Sequence, residues 1–278
     1  MTQQTIVITG ASDGIGAAAA RQLAAKGEEI VLVGRSPAKT AAVAQALGAR
    51  YYVADFADLA QVRELADKLQ AAHPRIDVLA NNAGGIMGDR ALTVDGFEKT
   101  FQVNHLAPFL LTSLLMPALT AGNAKVVQTA SAAAKQWGRI DMDDLQNEKD
   151  YTPNKAYGSG KLANILFTRE LHRRYHAQGI AAVAFHPGVV ATNFASDTTH
   201  FMRYIYHTPV IKNLFTISPD KSAKELVWLA EGTPGGTWQP GEYYEKRKPA
   251  PSTEQARDHE LARQFWDRSA NLLSITTR

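Results

Sequence analysis

The sequence predicts an α/β fold: one doubly wound domain over residues 1–278, with a parallel sheet covered by helices on both faces. Three observations predict it. Short apolar runs alternate with longer helical patterns along most of the chain. The runs are too apolar to face water on either side, which is the mark of strands buried in a parallel sheet. A glycine-rich turn, TGASDGIG at 9–16, lies between the first run and the first helical pattern.

Thr5–Thr9 (TIVIT) reads as the first strand, ended by Gly10. Residues 17–26 (AAAARQLAAK) are strong helix formers closed by Gly27. Residues 30–33 form the second strand. Ser36 and Pro37 supply an N-cap and a first-turn proline for a helix through Leu47, with Gly48 as its stop. Residues 51–54 are a third strand. Leu59–Ala72 is helical, with Leu59, Val62, Leu65, Ala66 and Leu69 on one stripe. A fourth strand follows at 76–80. Helices are predicted around 97–119, 154–177 and 221–231, and strands at Lys125–Thr129, 180–185 and 241–244. Two stretches break the rhythm: a polar connection at 135–154 and an aromatic, partly basic one at 194–219. Connections this long in a compact domain are as a rule functional or mobile.

Composition excludes several classes. Of 278 residues, 45% are hydrophobic and 21% charged, which is ordinary for a globular chain and excludes disordered or collagen-like ones. Thirty Lys and Arg against 27 Asp and Glu leave a net charge of +3, too small a surplus for a nucleic-acid partner. The absence of Cys excludes disulfides, thiolate metal sites and cysteine nucleophiles, and fits a reducing compartment. The N-terminus enters a strand-like run at Thr5 without the pattern of a secretory signal. The most apolar window, 106–119, is too short for a spanning helix and contains Pro108 and Pro117. The expectation is a cytoplasmic chain with no membrane span.

Five motifs carry chemistry. In the glycine turn, Gly10 permits a tight turn, Gly14 lets backbone approach a pyrophosphate, and Gly16 lets helix and strand pack; Ser12, Asp13 and Ile15 complete the loop. Such a turn binds a dinucleotide or is merely glycine-rich; its strand–turn–helix context favours the ligand. Arg35 ends the second strand, over the adenosine ribose. An acidic residue there would favour NAD, whereas arginine favours the 2′-phosphate of NADP or is a solvated surface cation. Asp55, with the amide of Phe56, is placed to read adenine or to cap a helix. NNAG at 81–84 offers amides that tie strand ends together, and Asn82, Ala83 and Gly84 leave room for the adenosine side of a cofactor. Tyr157 and Lys161 stand at i and i+4, one helical face, where an ammonium draws a phenol's pKa from about 10 towards neutrality.

These motifs, together with Asn104, Ser131 and the PGVVAT of 187–192, occur in the order and rough spacing of the short-chain dehydrogenase/reductase family, which the chain resembles from about Thr5 to Thr192. The resemblance implies that Tyr157 is the catalytic acid/base and that Lys161 holds the nicotinamide ribose and depresses the tyrosine pKa. Ser131 would bond the substrate oxygen, and Asn104 would support a water relaying the proton through Lys161. Pro187, Gly188, Val190 and Thr192 would border the nicotinamide, with Val190 backbone bonding the carboxamide. The family usually has a serine pair where this chain has Ala130 and Ser131, and Ser131 lies about twice the common distance from Tyr157. That insertion and KLANILFTRELHRRY are similar to the retinol dehydrogenase-like branch, although the hydrophobic N-terminal anchor of many members is not expected here. The resemblance also allows a homodimer through the helices carrying Asn104 and Tyr157, with the insertion close to that face.

The remaining candidates read differently. His172 and His176 are spaced for a metal but lie in a basic run without acidic partners, so no metal site is expected. His186 reads as structural and His105 as packing. A substrate lid is expected at 193–219, where Phe201, Tyr204, Tyr206 and Phe215, with Trp137 from the insertion, would build a pocket for a bulky apolar carbonyl compound. The expected function is an NADP-dependent oxidoreductase, NADPH being preferred over NADH, that interconverts a small-molecule carbonyl compound and its alcohol. The alternative is a non-catalytic NADP(H)-binding sensor on the same fold, which could lose Tyr157 or Lys161 and still bind; here Asn104, Ser131, Tyr157 and Lys161 are all present. An epimerase with a similar Tyr/Lys pair would carry a differently spaced glycine turn and a larger C-terminal domain.

Overall fold

The structure, a computed structural model, describes residues 3–188 and 218–277. The expectations at Val190 and Thr192, and the lid over 193–217, lie outside the described residues; Ser218 and Pro219 open a helix. The described elements are β1 (Thr5–Thr9), α1 (Gly14–Ala24), β2 (Glu29–Gly34), α2 (Pro37–Leu47), β3 (Arg50–Val53), α3 (Leu59–Ala72) and β4 (Val78–Asn81). Next come α4 (Lys99–Phe101), a π-helical turn (Gln102–Leu106), α5 (Ala107–Leu114), α6 (Met116–Gly122), β5 (Lys125–Thr129) and α7 (Ala133–Gln136). The chain continues with α8 (Pro153–Tyr175), β6 (Ala181–His186), α9 (Pro219–Glu231), β7 (Tyr243–Glu245), β8 (Lys248–Pro249), α10 (Glu254–Arg257) and α11 (His259–Leu272).

The sheet runs β3-β2-β1-β4-β5-β6-β7-β8. Strand side chains alternate between two cores. Val7, Val31, Leu79 and Val126 face α3, α5, α8 and α11, whereas Ile6, Leu32, Val78 and Val127 face α1, α2 and α9. Both faces are apolar, so the strands carry few polar residues, as read from the sequence. The strand order reverses between β1 and β4, which opens a crevice at the C-terminal ends of the strands.

Several boundaries differ from the sequence reading. The sheet is not wholly parallel: β8 returns antiparallel to β7, because Lys246 and Arg247, at φ 51° and 61°, make a two-residue hairpin turn. Helix α1 starts at Gly14, since the Asp13 carboxylate accepts from Gly14 N at 2.7 Å. Strand β4 extends over Asn81, whose side-chain nitrogen donates to Thr112 Oγ1 at 2.9 Å. The predicted helix at 97–119 is broken at Leu115 with a bend of 66°, where Pro117 cannot continue the ladder. Helices α10 and α11 were not read from the sequence. No single helix among the described residues is long and apolar enough to cross a membrane.

The polar connection at 135–154 is tied down. Ile140 exchanges both backbone groups with the Gln255 side chain, at 3.0 and 2.9 Å. Tyr151 OH donates to Gly88 O at 2.9 Å, and Gln146 Oε1 accepts from Glu98 N at 2.9 Å. The buried Glu98 carboxylate in turn caps α4, accepting from Thr100 N and Phe101 N, both at 2.7 Å. The side of α5 and α8 turned away from the sheet is covered by α11. Trp266 stacks on Phe167 at 5.4 Å and lies against Phe109 at 4.6 Å. The buried His105 bonds Ser269 Oγ at 2.8 Å, and burial pushes it down to about 3, so it packs as a neutral ring. This is the face through which the resemblance allowed a homodimer.

Candidate active site

A cleft of about 530 Å³ lies across the C-terminal ends of β1, β2, β4, β5 and β6. Its floor is the glycine turn. Gly10 holds φ +65°, and a Cβ there would stand 2.9 Å from Ala83 Cα, so only glycine lets the two loops meet. Gly14, at φ +56°, begins α1 and turns the helix's positive end to the cleft. Gly16 does not line the cleft; it packs beneath, where a Cβ would lie 2.4 Å from Gly10 O. Ser12, Asp13 and Ile15 line the same wall.

Asn82 stitches the strand ends. Its amide donates to Thr9 O at 3.0 Å, and its carbonyl accepts from Thr129 Oγ1 at 3.3 Å, joining the ends of β1 and β5. Thr9 Oγ1 accepts from Asn82 N and Ala83 N, both at 3.0 Å. Ala83 and Gly84 continue along the cleft wall.

At the β2 end stand two exposed cations, Arg35 and Lys39, with Lys39 Nζ 3.6 Å from Asp13. Asp55 and Phe56 do not line the cleft. Asp55 accepts from Ala57 N at 2.9 Å, while the cap of α3 is Asp58, not Asp55. Phe56 is buried and its carbonyl accepts from Gln102 Nε2 at 3.1 Å.

The structure brings Ser131, Tyr157 and Lys161 to one wall. Tyr157 is buried between Ile86 and Ala133. Lys161, one turn further along α8, has its Nζ 5.5 Å from the Tyr157 ring centre and donates to Thr129 O at 2.9 Å. Burial pushes Lys161 down to about 7. The half-buried Ser131 accepts from Ala133 N at 3.2 Å. Asn104 sits in the π-helical turn, wholly buried behind this wall. Its side chain exchanges bonds with Gly85, donating to the carbonyl at 2.9 Å and accepting from the amide at 3.1 Å. A Cβ on Gly84 would meet Asn104 Oδ1 at 2.6 Å and Lys161 Nζ at 3.0 Å, so these polar atoms converge on one backbone point.

His186, Pro187 and Gly188 form the β6 end, and Gln136, Trp137 and Asn154 the outer rim. Lys39, Gln136, Asn154 and His186 are among the cleft residues not assigned to the site from sequence. Lys39 and Asn154 carried a signal: Lys39 is four residues past Arg35 in the first turn of α2, and Asn154 is one helical turn before Tyr157. Gln136 and His186 reach the cleft through tertiary placement alone. His172 and His176 have ring centres 5.3 Å apart, and no group of three or more metal-ligating side chains occurs among the described residues.

A model of the short chain dehydrogenase family matches residues 4–202. DnrU of Streptomyces sp. (strain C5), proposed as a daunorubicin C-13 ketoreductase, is 42% identical over 282 residues, covering 99% of this chain and 94% of that protein. Human retinol dehydrogenase 13 is 35% identical over 285 residues, covering 98% of this chain and 85% of its own length. A crystal structure of a Mycobacterium Paratuberculosis protein of unassigned function superposes with a TM-score of 0.79 at 34% identity, over 100% of this chain and 96% of that one.

Proposed function

Because the chain belongs to the short chain dehydrogenase family, in its retinol dehydrogenase-like branch, and is thereby an oxidoreductase of carbonyl and alcohol groups, we propose that it is NADP-dependent and acts on a bulky, mostly apolar carbonyl compound. The observation that carries this reading is the shared wall of Ser131, Tyr157 and Lys161 in a cleft floored by a glycine turn and a helix N-terminus.

The residues present fit the cofactor. The glycine surfaces at Gly10 and Gly84 form a cradle that a Cβ would fill, the first turn of α1 points its backbone amides toward a pyrophosphate, and Arg35 with Lys39 would hold a 2′-phosphate. Lys161 would hold the nicotinamide ribose, and Pro187, Gly188, Val190 and Thr192 are assigned to border the ring. When bound, the cofactor supplies the hydride chemistry. The Tyr157 phenol gives its proton to the substrate oxygen in reduction and takes it back in oxidation. Ser131 holds that oxygen by its hydroxyl. The Lys161 ammonium favours the phenolate, lowering the cost of that transfer. Asn104, bonded to Gly85, fixes the backbone behind Lys161.

Trp137 and Ile86 give the rim an apolar surface, and the names of the relatives, daunorubicin ketoreductase and retinol dehydrogenase, support a large substrate. The test is NADPH oxidation over aldehydes and ketones of increasing chain length, with Tyr157→Phe as control. kcat/KM should rise by a few-fold per added methylene, since each contributes about 0.8 kcal/mol when buried. Tyr157→Phe should lose about a hundredfold to ten-thousandfold in rate and still bind NADPH. A flat series sinks the apolar substrate; retained turnover in Tyr157→Phe takes the acid/base role from Tyr157, and a wild type that binds NADPH but turns nothing over belongs to the class of NADP(H) sensors.

A further inference from the structure

We infer that His186 is a specificity-determining residue for the nicotinamide end of the cofactor, its imidazole pairing with the carboxamide; the inference rests on the NADP reading above. His186 ends β6 and lines the cleft with Thr129, Pro187 and Gly188. It is 8% exposed, and its Nδ1 is buried with no hydrogen-bond partner among the described residues. An unpaired buried polar atom destabilises a protein, and an apolar side chain here would avoid that cost. The packing of β6 does not need an imidazole, since Phe185 and Ala184 already fill the two cores.

Position says which part of a dinucleotide His186 would meet. Arg35 follows β2 and His186 ends β6, four strand spacings apart in the order β2-β1-β4-β5-β6. At ordinary sheet spacing that is about 19 Å, the reach of an extended dinucleotide. With a 2′-phosphate at Arg35, the pyrophosphate falls at α1 and the nicotinamide at the β5 and β6 ends. The nicotinamide's hydrogen-bonding group is its carboxamide, which both donates and accepts. A neutral imidazole also both donates and accepts, so the two groups are complementary. Burial holds His186 below the ordinary imidazole range, with Glu245 opposing and Lys246 reinforcing the shift, so the ring is neutral near pH 7.

Calorimetry with NADP⁺ and with 2′,5′-ADP, which lacks the nicotinamide half, separates this role from a general one. His186→Ala should bind NADP⁺ about tenfold more weakly than the wild type and 2′,5′-ADP equally well. His186→Asn, which keeps a donor and an acceptor, should lose less. The melting temperature of His186→Ala without cofactor should stay close to that of the wild type, because the loss of an unpaired buried nitrogen offsets the cavity left behind. Unchanged NADP⁺ affinity in His186→Ala would overturn the inference, as would a parallel loss for both ligands. A wild type that binds neither ligand would overturn the NADP reading itself, an outcome distinct from both.

Discussion

Gly158 of α8 and Gly138, just past α7, press backbone against backbone. A Cβ on Gly158 would stand 2.8 Å from both Gly138 N and Ala133 O, and one on Gly138 would stand 2.6 Å from Gly158 O. Ser131 precedes this contact on one side and Tyr157 adjoins it on the other, so the gap between them is set by main chain. Gly158→Ala should force α7 away from α8 at a cost of about 1–3 kcal/mol. The expected result is a fall in kcat/KM of about tenfold or more, with 2′,5′-ADP affinity unchanged. Steady-state kinetics beside calorimetry decides it; wild-type kcat/KM would mean that α7 slides without consequence.

Arg35 and Lys39 predict a preference for NADPH over NADH. One charge-assisted contact contributes roughly 1.5–3 kcal/mol, so the preference should be about tenfold to a hundredfold. Arg35→Ala should remove most of it, and Arg35→Ala with Lys39→Ala all of it. Both cations are exposed, so the preference should shrink as salt is added. Equal affinities of the wild type for the two cofactors would refute the assignment.

Lys161 predicts how stability without cofactor depends on pH. Its folded pKa is pushed down to about 7 by burial, whereas an unfolded lysine titrates near about 10.4. Between those values the unfolded chain binds the extra proton, so stability rises with pH through that window. Below about pH 7 both states are charged and the burial penalty is felt in full; above the unfolded value the two states no longer differ. Lys161→Met should therefore raise the urea midpoint at pH 7, with the advantage over wild type shrinking towards pH 10. A constant difference across that range would show that Lys161 does not titrate in it.

Trp266 ties α11 to the body of the domain. It stacks on Phe167, its Nε1 donates to Thr277 Oγ1 at 2.8 Å, and the Arg174 guanidinium lies 5.2 Å from its ring. Trp266→Ala should lose about 3–5 kcal/mol in chemical denaturation. Because α11 covers α5 and α8, the wild type should sediment as a monomer, and the variant should self-associate through the uncovered face. A wild-type dimer that persists when α11 is altered would place the interface elsewhere.

The central strands β1, β2, β4, β5 and β6 were legible because each is a largely apolar run stopped by a small or polar residue, and the helix cap at Ser36 and the stop at Gly48 act as read. The glycine turn, Tyr157 and Lys161 line the cleft together, as local spacing let one expect of a turn between strand and helix and of a pair on one helical face, while the roles of Tyr157 and Lys161 come from the family resemblance. Asp55 and Phe56 were assigned by spacing too, but they do not line the cleft: Asp55 accepts from Ala57 N and the Phe56 carbonyl from the distant Gln102 side chain. Helix α11 did carry a signal, with Ala262, Phe265, Trp266, Ser269 and Ala270 on one stripe behind the Asp258 cap. What had no local trace is tertiary. The antiparallel β8 depends on two residues adopting positive φ, and His186 looks structural until the β6 end is seen to open on the cleft.

The π-helical turn at Gln102–Leu106 fixes the length of the chain as well as its shape. Such a turn holds about one residue more than an α-helical turn. Deleting one residue there would restore a regular helix and rotate everything beyond it by about 100° relative to what precedes it. Asn104 sits within that joint and the core side chains Phe109 and Leu110 lie beyond it, so a regular helix would not aim both as they are aimed here. A gene shortened by one codon in this stretch would have to surrender either the asparagine or the core, which makes the segment intolerant of insertions and deletions even where it tolerates substitution.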